Sequence, residues 1–227
     1  MPLALKIFEV AEPLSLEEIA TKLMGYGILE VEKLGEKEIE VGFRVTSLEP
    51  GEGGELKGIF EESFIASITY REEEVKIPVS VFTEFRFLNV ERKQFLIVAA
   101  KKTRANRIAS RLSIAIAAKK RAILEVFIPQ EKFRKLYEER PGALKVAVFT
   151  NVRLPDVNKL TLYGDQLSNS QTYSEYLKLG EVWYSVFEAE EGLVVGVTRN
   201  GIVTFFSKVD PEIAFKFTIE KITPLAE

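Results

Sequence analysis

Arg104, Arg107 and Arg111 are the residues whose type and spacing best suit binding chemistry in this chain. At i, i+3 and i+7 they fall close together on one sector of a helical wheel. Planar guanidinium groups suit phosphate oxygens because their donors engage two oxygens at once. Ala105, Ile108, Ala109, Leu112, Ala115 and Ile116 occupy a neighbouring apolar sector, which predicts a helix buried on one side and cationic on another. Lys101 and Lys102 precede this stripe, and Lys119, Lys120 and Arg121 follow it. From Glu91 to Arg121 there are ten Lys or Arg against one Glu, a net charge of +9, while the first ninety residues carry −9 and residues 122–227 carry −3. The total of −3 therefore hides a strongly charged segment. Two readings follow. In one, the arginines face the phosphates of DNA or RNA; in the other, they pair with the acidic first ninety residues or with an acidic protein partner.

Other chemistry is narrowed by composition. The chain has no cysteine and no histidine, which removes disulfides, thiolate nucleophiles, zinc fingers and histidine-based triads. Only a carboxylate-ligated hard cation remains open as a metal site, and no metal or cofactor is expected. The glycine run at Gly51, Gly53, Gly54 and Gly58 lacks the lysine of a phosphate loop, since Ile59 stands there, and reads as a hairpin loop. Glu61–Glu62 and Glu72–Glu74 read as surface turns, because adjacent strand residues point to opposite faces. Asp165, Gln166, Ser168, Asn169 and Ser170 form a polar loop open to contacts, while Trp183, Tyr184 and Phe187 suit either core packing or base stacking. No enzyme signature emerges, so no catalytic residue is expected.

With 46% hydrophobic and 29% charged residues, composition is that of an ordinary globular protein. No run approaches the ~18–20 apolar residues needed to cross a bilayer, and the start of the chain lacks the features of a signal peptide. A cytoplasmic protein with no membrane contact is expected. Absent cysteine with abundant Glu and Lys also fits a thermophilic source.

The elements that must position these residues come in a repeated order. Leu3–Val10 reads as a strand, and Ser15 to Glu18 as a capping box opening a short helix that Gly25 and Gly27 end. Alternation then marks strands at Ile39–Val45, Phe64–Tyr70 and Val75–Phe87, with Pro78 placing the last at an edge or a bend. Phe95–Val98 leads into the basic helix. The second half offers a strand at Ile123–Ile128, a helix from Pro129 stopped by Pro141 and Gly142, and strands at Leu144–Val148 and Val157–Tyr163. A short helix near Tyr173–Leu179 precedes strands at Glu181–Glu188, Leu193–Thr198 and Ile202–Phe206, and Asp210-Pro211-Glu212 starts a closing helix. The expected fold is α+β: two tandem antiparallel-sheet repeats, each strand, helix, strands, helix, over residues 1–121 and 122–227.

Residues 200–208, Asn-Gly-Ile-Val-Thr-Phe-Phe-Ser-Lys, and Val98-Ala99-Ala100-Lys101 before the Arg107–Leu112 helix resemble the repeat ends of the TATA-box-binding protein family. Leu162–Gly164 and Tyr173–Leu177 resemble the middle of that family's second repeat, and the likeness covers most of residues 90–227. The resemblance implies a duplicated saddle, with Lys101, Arg107, Arg111 and Lys208 as phosphate contacts. It departs where Val90 and Val197 replace intercalating phenylalanines, and where Ala99 and Phe206 replace turn glycines. The expected function is a non-enzymatic module binding nucleic acid through Lys101, Lys102, Arg104, Arg107, Arg111, Lys119, Lys120, Arg121 and Lys208. The alternatives are a protein-partner scaffold without a nucleic-acid role, or a small-molecule carrier with a cavity within residues 1–120.

Overall fold

A computed structural model describes residues 2–51, 53–138, 143–189 and 192–226. Pro141 and Gly142, expected to stop a helix, lie outside the described residues. Two compact units divide the chain, and they are interleaved. One takes Val10–Ala99 and Arg104–Leu124; the other takes Met1–Glu9, Ala100–Thr103 and Glu125–Glu227.

The first of these units holds α1 (Leu16–Leu23), β2 (Gly27–Leu34), β3 (Lys37–Pro50), β4 (Leu56–Tyr70), β5 (Glu73–Val90), β6 (Lys93–Val98) and most of α2 (Lys102–Ala117). Its strands pair in sequence order, every pair antiparallel. Ser15 opens α1 as the sequence predicts, accepting from the Glu18 amide while the Glu18 carboxylate accepts from its own. Ala105, Ile108, Ala109, Leu112 and Ile116 of α2 are buried, as are Phe43, Phe60, Phe85 and Phe87 of the sheet. Gly58 is dictated by this packing, for a Cβ there would lie 2.3 Å from the Phe85 ring. Two interactions fix the end of α2. Lys22 Nζ donates to the Ile116 carbonyl at 2.7 Å, a favourable cation at a helix C-terminus. The buried Ser113 hydroxyl donates to the Lys119 carbonyl and accepts from the Ala122 and Ile123 amides.

The other unit contains β1 (Leu3–Val10, all but its last residue), then α3 (Gln130–Glu138), β8 (Leu144–Leu154), β9 (Val157–Tyr163), α4 (Gln171–Leu179), β10 (Glu181–Glu188), β11 (Val194–Thr198), β12 (Ile202–Phe205) and α5 (Pro211–Phe217). The short β7 (Ile123–Glu125) spans the passage of the chain between the units. Strands run β1, β12, β11, β10, β8, β9, again antiparallel. Phe133, Tyr137, Phe149, Tyr173, Phe187, Phe205 and Phe215 fill the core. The hydroxyls of Tyr137 and Tyr173 meet at 3.0 Å, and burial raises the pKa of both, that of Tyr173 to about 12.

Two tandem α+β repeats are therefore not what forms. Twelve strands outweigh five α-helices among the described residues, and the strands dominate the architecture. The physical reason lies in β1, which pairs with β12 in the register Leu3↔Phe205 to Lys6↔Ile202. A strand from the start of the chain thus completes the sheet built by its end, which two self-contained repeats would not do. The two units also differ in kind: β3, β4 and β5 run 14, 15 and 18 residues, against 5 and 4 for β11 and β12. The chain passes between the units at Leu124/Glu125, and Met1–Glu9 and Ala100–Thr103 both join the unit on the far side of the expected boundary at 121/122. Among the described residues no helix is long and apolar enough to cross a membrane.

Candidate functional site

Glu62 is the centre on which the arginine stripe converges. It lies on β4, opposite Val81 of β5, and is only 5% exposed. Arg107 donates to both of its oxygens, at 2.8 and 3.0 Å, and Arg111 Nη1 donates at 3.0 Å. Arg104 Nε lies 3.1 Å from the same carboxylate, and its Nη2 donates to the Val81 carbonyl. The helical spacing that gathers the three guanidiniums is thus satisfied by one buried acid. Three cations around one anion leave the cluster with a surplus of positive charge. Burial lowers the pKa of Arg104 and Arg111, and Glu62 opposes that shift in both. Arg111 also packs 4.0 Å from the Phe43 ring centroid, and Phe43 stacks on Phe60. No acid occupies the first turn of α2, so Glu62 supplies the negative charge that the cationic N-terminal half of the helix lacks.

Glu61 and Glu62 are accordingly not in a surface turn. They are consecutive β4 residues on opposite faces, both buried, and Glu61 accepts from Arg44 Nε at 2.7 Å. Their arginine partners lie 17 to 49 residues away, which no local pattern reveals. Of the other expected basic residues, Lys101 and Lys102 are exposed at the start of α2, and Lys119, Lys120 and Arg121 are exposed in the turn that follows it. Lys119 pairs with Glu12. Lys208 is exposed between β12 and α5.

Beyond Glu62 the same face of β4 changes character. Phe64, Ala66, Ile68 and Tyr70 follow Glu62 at intervals of two and share its face. Opposite them on β5 stand Val79, Ile77, Val75 and Glu73. Here Phe64 is 45%, Ile68 44% and Tyr70 59% exposed, whereas Phe60, four residues before Phe64, is fully buried. The edge of β4 opens at the same point. Its register with β3 stops at Gly42↔Ser63, so among the described residues Phe64–Tyr70 pair with β5 alone. Gly42 adopts φ +132°, and a Cβ there would lie 2.1 Å from the Ile28 carbonyl oxygen of the adjacent β2. From Ser63 to Tyr70 no residue is charged, while Glu72, Glu73 and Glu74 crowd the tip. Sequence alternation finds this strand but not its lack of cover.

The other unit carries an open groove of about 660 Å³ lined by Gln130, Arg134, Asn151, Arg153, Glu181 and Arg199, among others. Arg134 pairs with Glu138 at 2.6 Å, Arg153 donates to the Lys178 carbonyl, and Arg199 donates to Glu181 and the Ile128 carbonyl. The carrier alternative expected a cavity within residues 1–120; this groove lies elsewhere. Among the described residues no group of three or more Asp or Glu could hold a metal ion. No family model matches the chain, and no curated protein matches it.

Proposed function

We propose that the chain is a non-enzymatic binding module that docks a protein along the β4–β5 hairpin beyond Glu62. The observation that carries this reading is the apolar strip of Phe64, Ile68 and Tyr70, 44–59% exposed and contiguous with an open strand edge. Strips of this kind, with a free edge, are what strand-addition partners use. The nucleic-acid alternative draws on Arg104, Arg107 and Arg111, whose charges already pair with Glu62. A cysteine-free chain fits a reducing compartment, and the proposal places it in the cytoplasm.

Photo-crosslinking tests the docking surface directly. A benzophenone amino acid at position 68, compared with one at the exposed Lys159 on β9, should give a protein adduct from 68 alone that mass spectrometry identifies. Phe64→Lys should abolish that adduct. Adducts from 68 and 159 alike, or only with nucleic acid, would overturn the reading.

A further inference from the structure

We propose that the partner is a second copy of this chain, paired edge to edge along β4 about a two-fold axis near Ser67. The inference rests on the docking reading above and names its occupant. Three features of the hairpin make it complementary to itself.

The first is the edge. Phe64–Tyr70, paired with β5 on one side, presents an open backbone edge on the other, and natural proteins shield such edges with charge, proline or a bulge. None of these occurs from Ser63 to Tyr70, and the β4–β5 register runs through the segment without a shift. An identical segment can therefore approach without burying a charge. Two-fold antiparallel pairing centred on Ser67 sets Phe64 opposite Tyr70, Ala66 opposite Ile68 and Ser67 opposite its own counterpart. The large apolar side chains then meet small or aromatic neighbours on one face, and the serines meet on the other.

The second is charge. The hairpin has a net acidic tip, Glu72, Glu73 and Glu74 against Arg71, a middle in which β4 is uncharged and β5 carries Lys76 opposite Ser67, and at its base the positive surplus of Arg104, Arg107 and Arg111 around Glu62. Antiparallel pairing lays the tip of each copy beside the base of the other. Glu73 is opposite Tyr70, on the face that carries Glu62, so its carboxylate comes to the side where Arg107 is half exposed. The contact occurs twice, once at each end. Parallel pairing would instead set tip against tip and base against base.

The third is extent. A paired edge of about seven residues gives an interface below the roughly 1,000 Å² of a stable complex, so a reversible dimer is the expected product. Its electrostatic ends make it weaker in salt.

Sedimentation velocity of the full chain from about 5 to about 500 μM, in low and high salt, reads the association. The expected result is a monomer–dimer equilibrium that weakens at high salt. Glu73→Arg, at an exposed tip, should weaken it about ten-fold. Because the chain has no cysteine, Ser67→Cys supplies a clean second readout: the exposed thiol should form a disulfide with its own counterpart, while Lys159→Cys should not. A monomer at every concentration, with Ser67→Cys remaining reduced, overturns the inference. So does a dimer that ignores Glu73→Arg and forms no 67–67 disulfide. In either case an adduct from position 68 to a different protein would leave the docking reading standing, whereas its absence would remove both.

Discussion

The two ends of the β4–β5 hairpin share one uninterrupted register and one alternation of side chains, yet they live in different surroundings. Near its base, Leu56, Phe60 and Glu62 face Phe87, Thr83 and Val81, and all but Val81 are buried. Toward its tip, Phe64, Ile68 and Tyr70 face Val79, Val75 and Glu73, and those three side chains of β4 are open. The direction of helix α2 explains the contrast: Arg104 bonds to Val81 of β5, Arg107 to Glu62 of β4, and Arg111 packs on Phe43 of β3, so the helix crosses the strands rather than following them. With 15 residues β4 extends about 50 Å, and a helix crossing it covers only part of that length. The cover ends at Glu62, and the chain marks the limit with a carboxylate rather than another phenylalanine. Alternation therefore reports which face is apolar without reporting whether anything covers it.

Paired truncations give the widest separation between the two ends. Phe60→Ala should cost about 3–5 kcal/mol in urea unfolding, and Phe64→Ala less than about 1 kcal/mol at concentrations where the chain is monomeric. Equal losses would erase the distinction. The limit itself is probed by Glu62→Gln, which leaves three arginines around a neutral amide. A loss of about 3 kcal/mol is expected, along with partial recovery when Arg107→Gln is added. A neutral effect would mean that the arginines turn outward at no cost. Gly58→Ala should cost about 1–3 kcal/mol, because the new methyl must displace the Phe85 ring. An unchanged midpoint would show that the base is packed as loosely as the tip.

Local elements were legible where one signal sufficed. Strands β1, β9 and β10 occupy the expected ranges, the Ser15–Glu18 box caps α1, and Asp210 caps α5. Pro78 lies where β5 pairs with β4 but not with β6, as its missing N–H requires. Strand β2 is not legible in the sequence because Gly27–Lys33 is exposed on both faces and burial imposes no contrast there. Ile123–Ile128 is strand only over β7, and beyond it Ile128 bonds to Arg199 through both its amide and its carbonyl, a placement set by tertiary context. The arginine stripe was visible, and pairing with the acidic first ninety residues was one of its two readings. What sequence could not supply was the identity of Glu62, since strand and helix meet only after folding. The two-repeat fold failed for a related reason: element order says nothing about which strand takes which neighbour.

The pairing of Leu3 with Phe205 has a consequence for biosynthesis. At roughly 5–20 residues per second, β1 leaves the ribosome on the order of ten seconds or more before β12 exists. Throughout that interval a strand containing Leu5, Ile7 and Phe8 has no β12 to receive it. Nascent chains stalled before residue 202 should therefore be the form of this protein that most needs a chaperone.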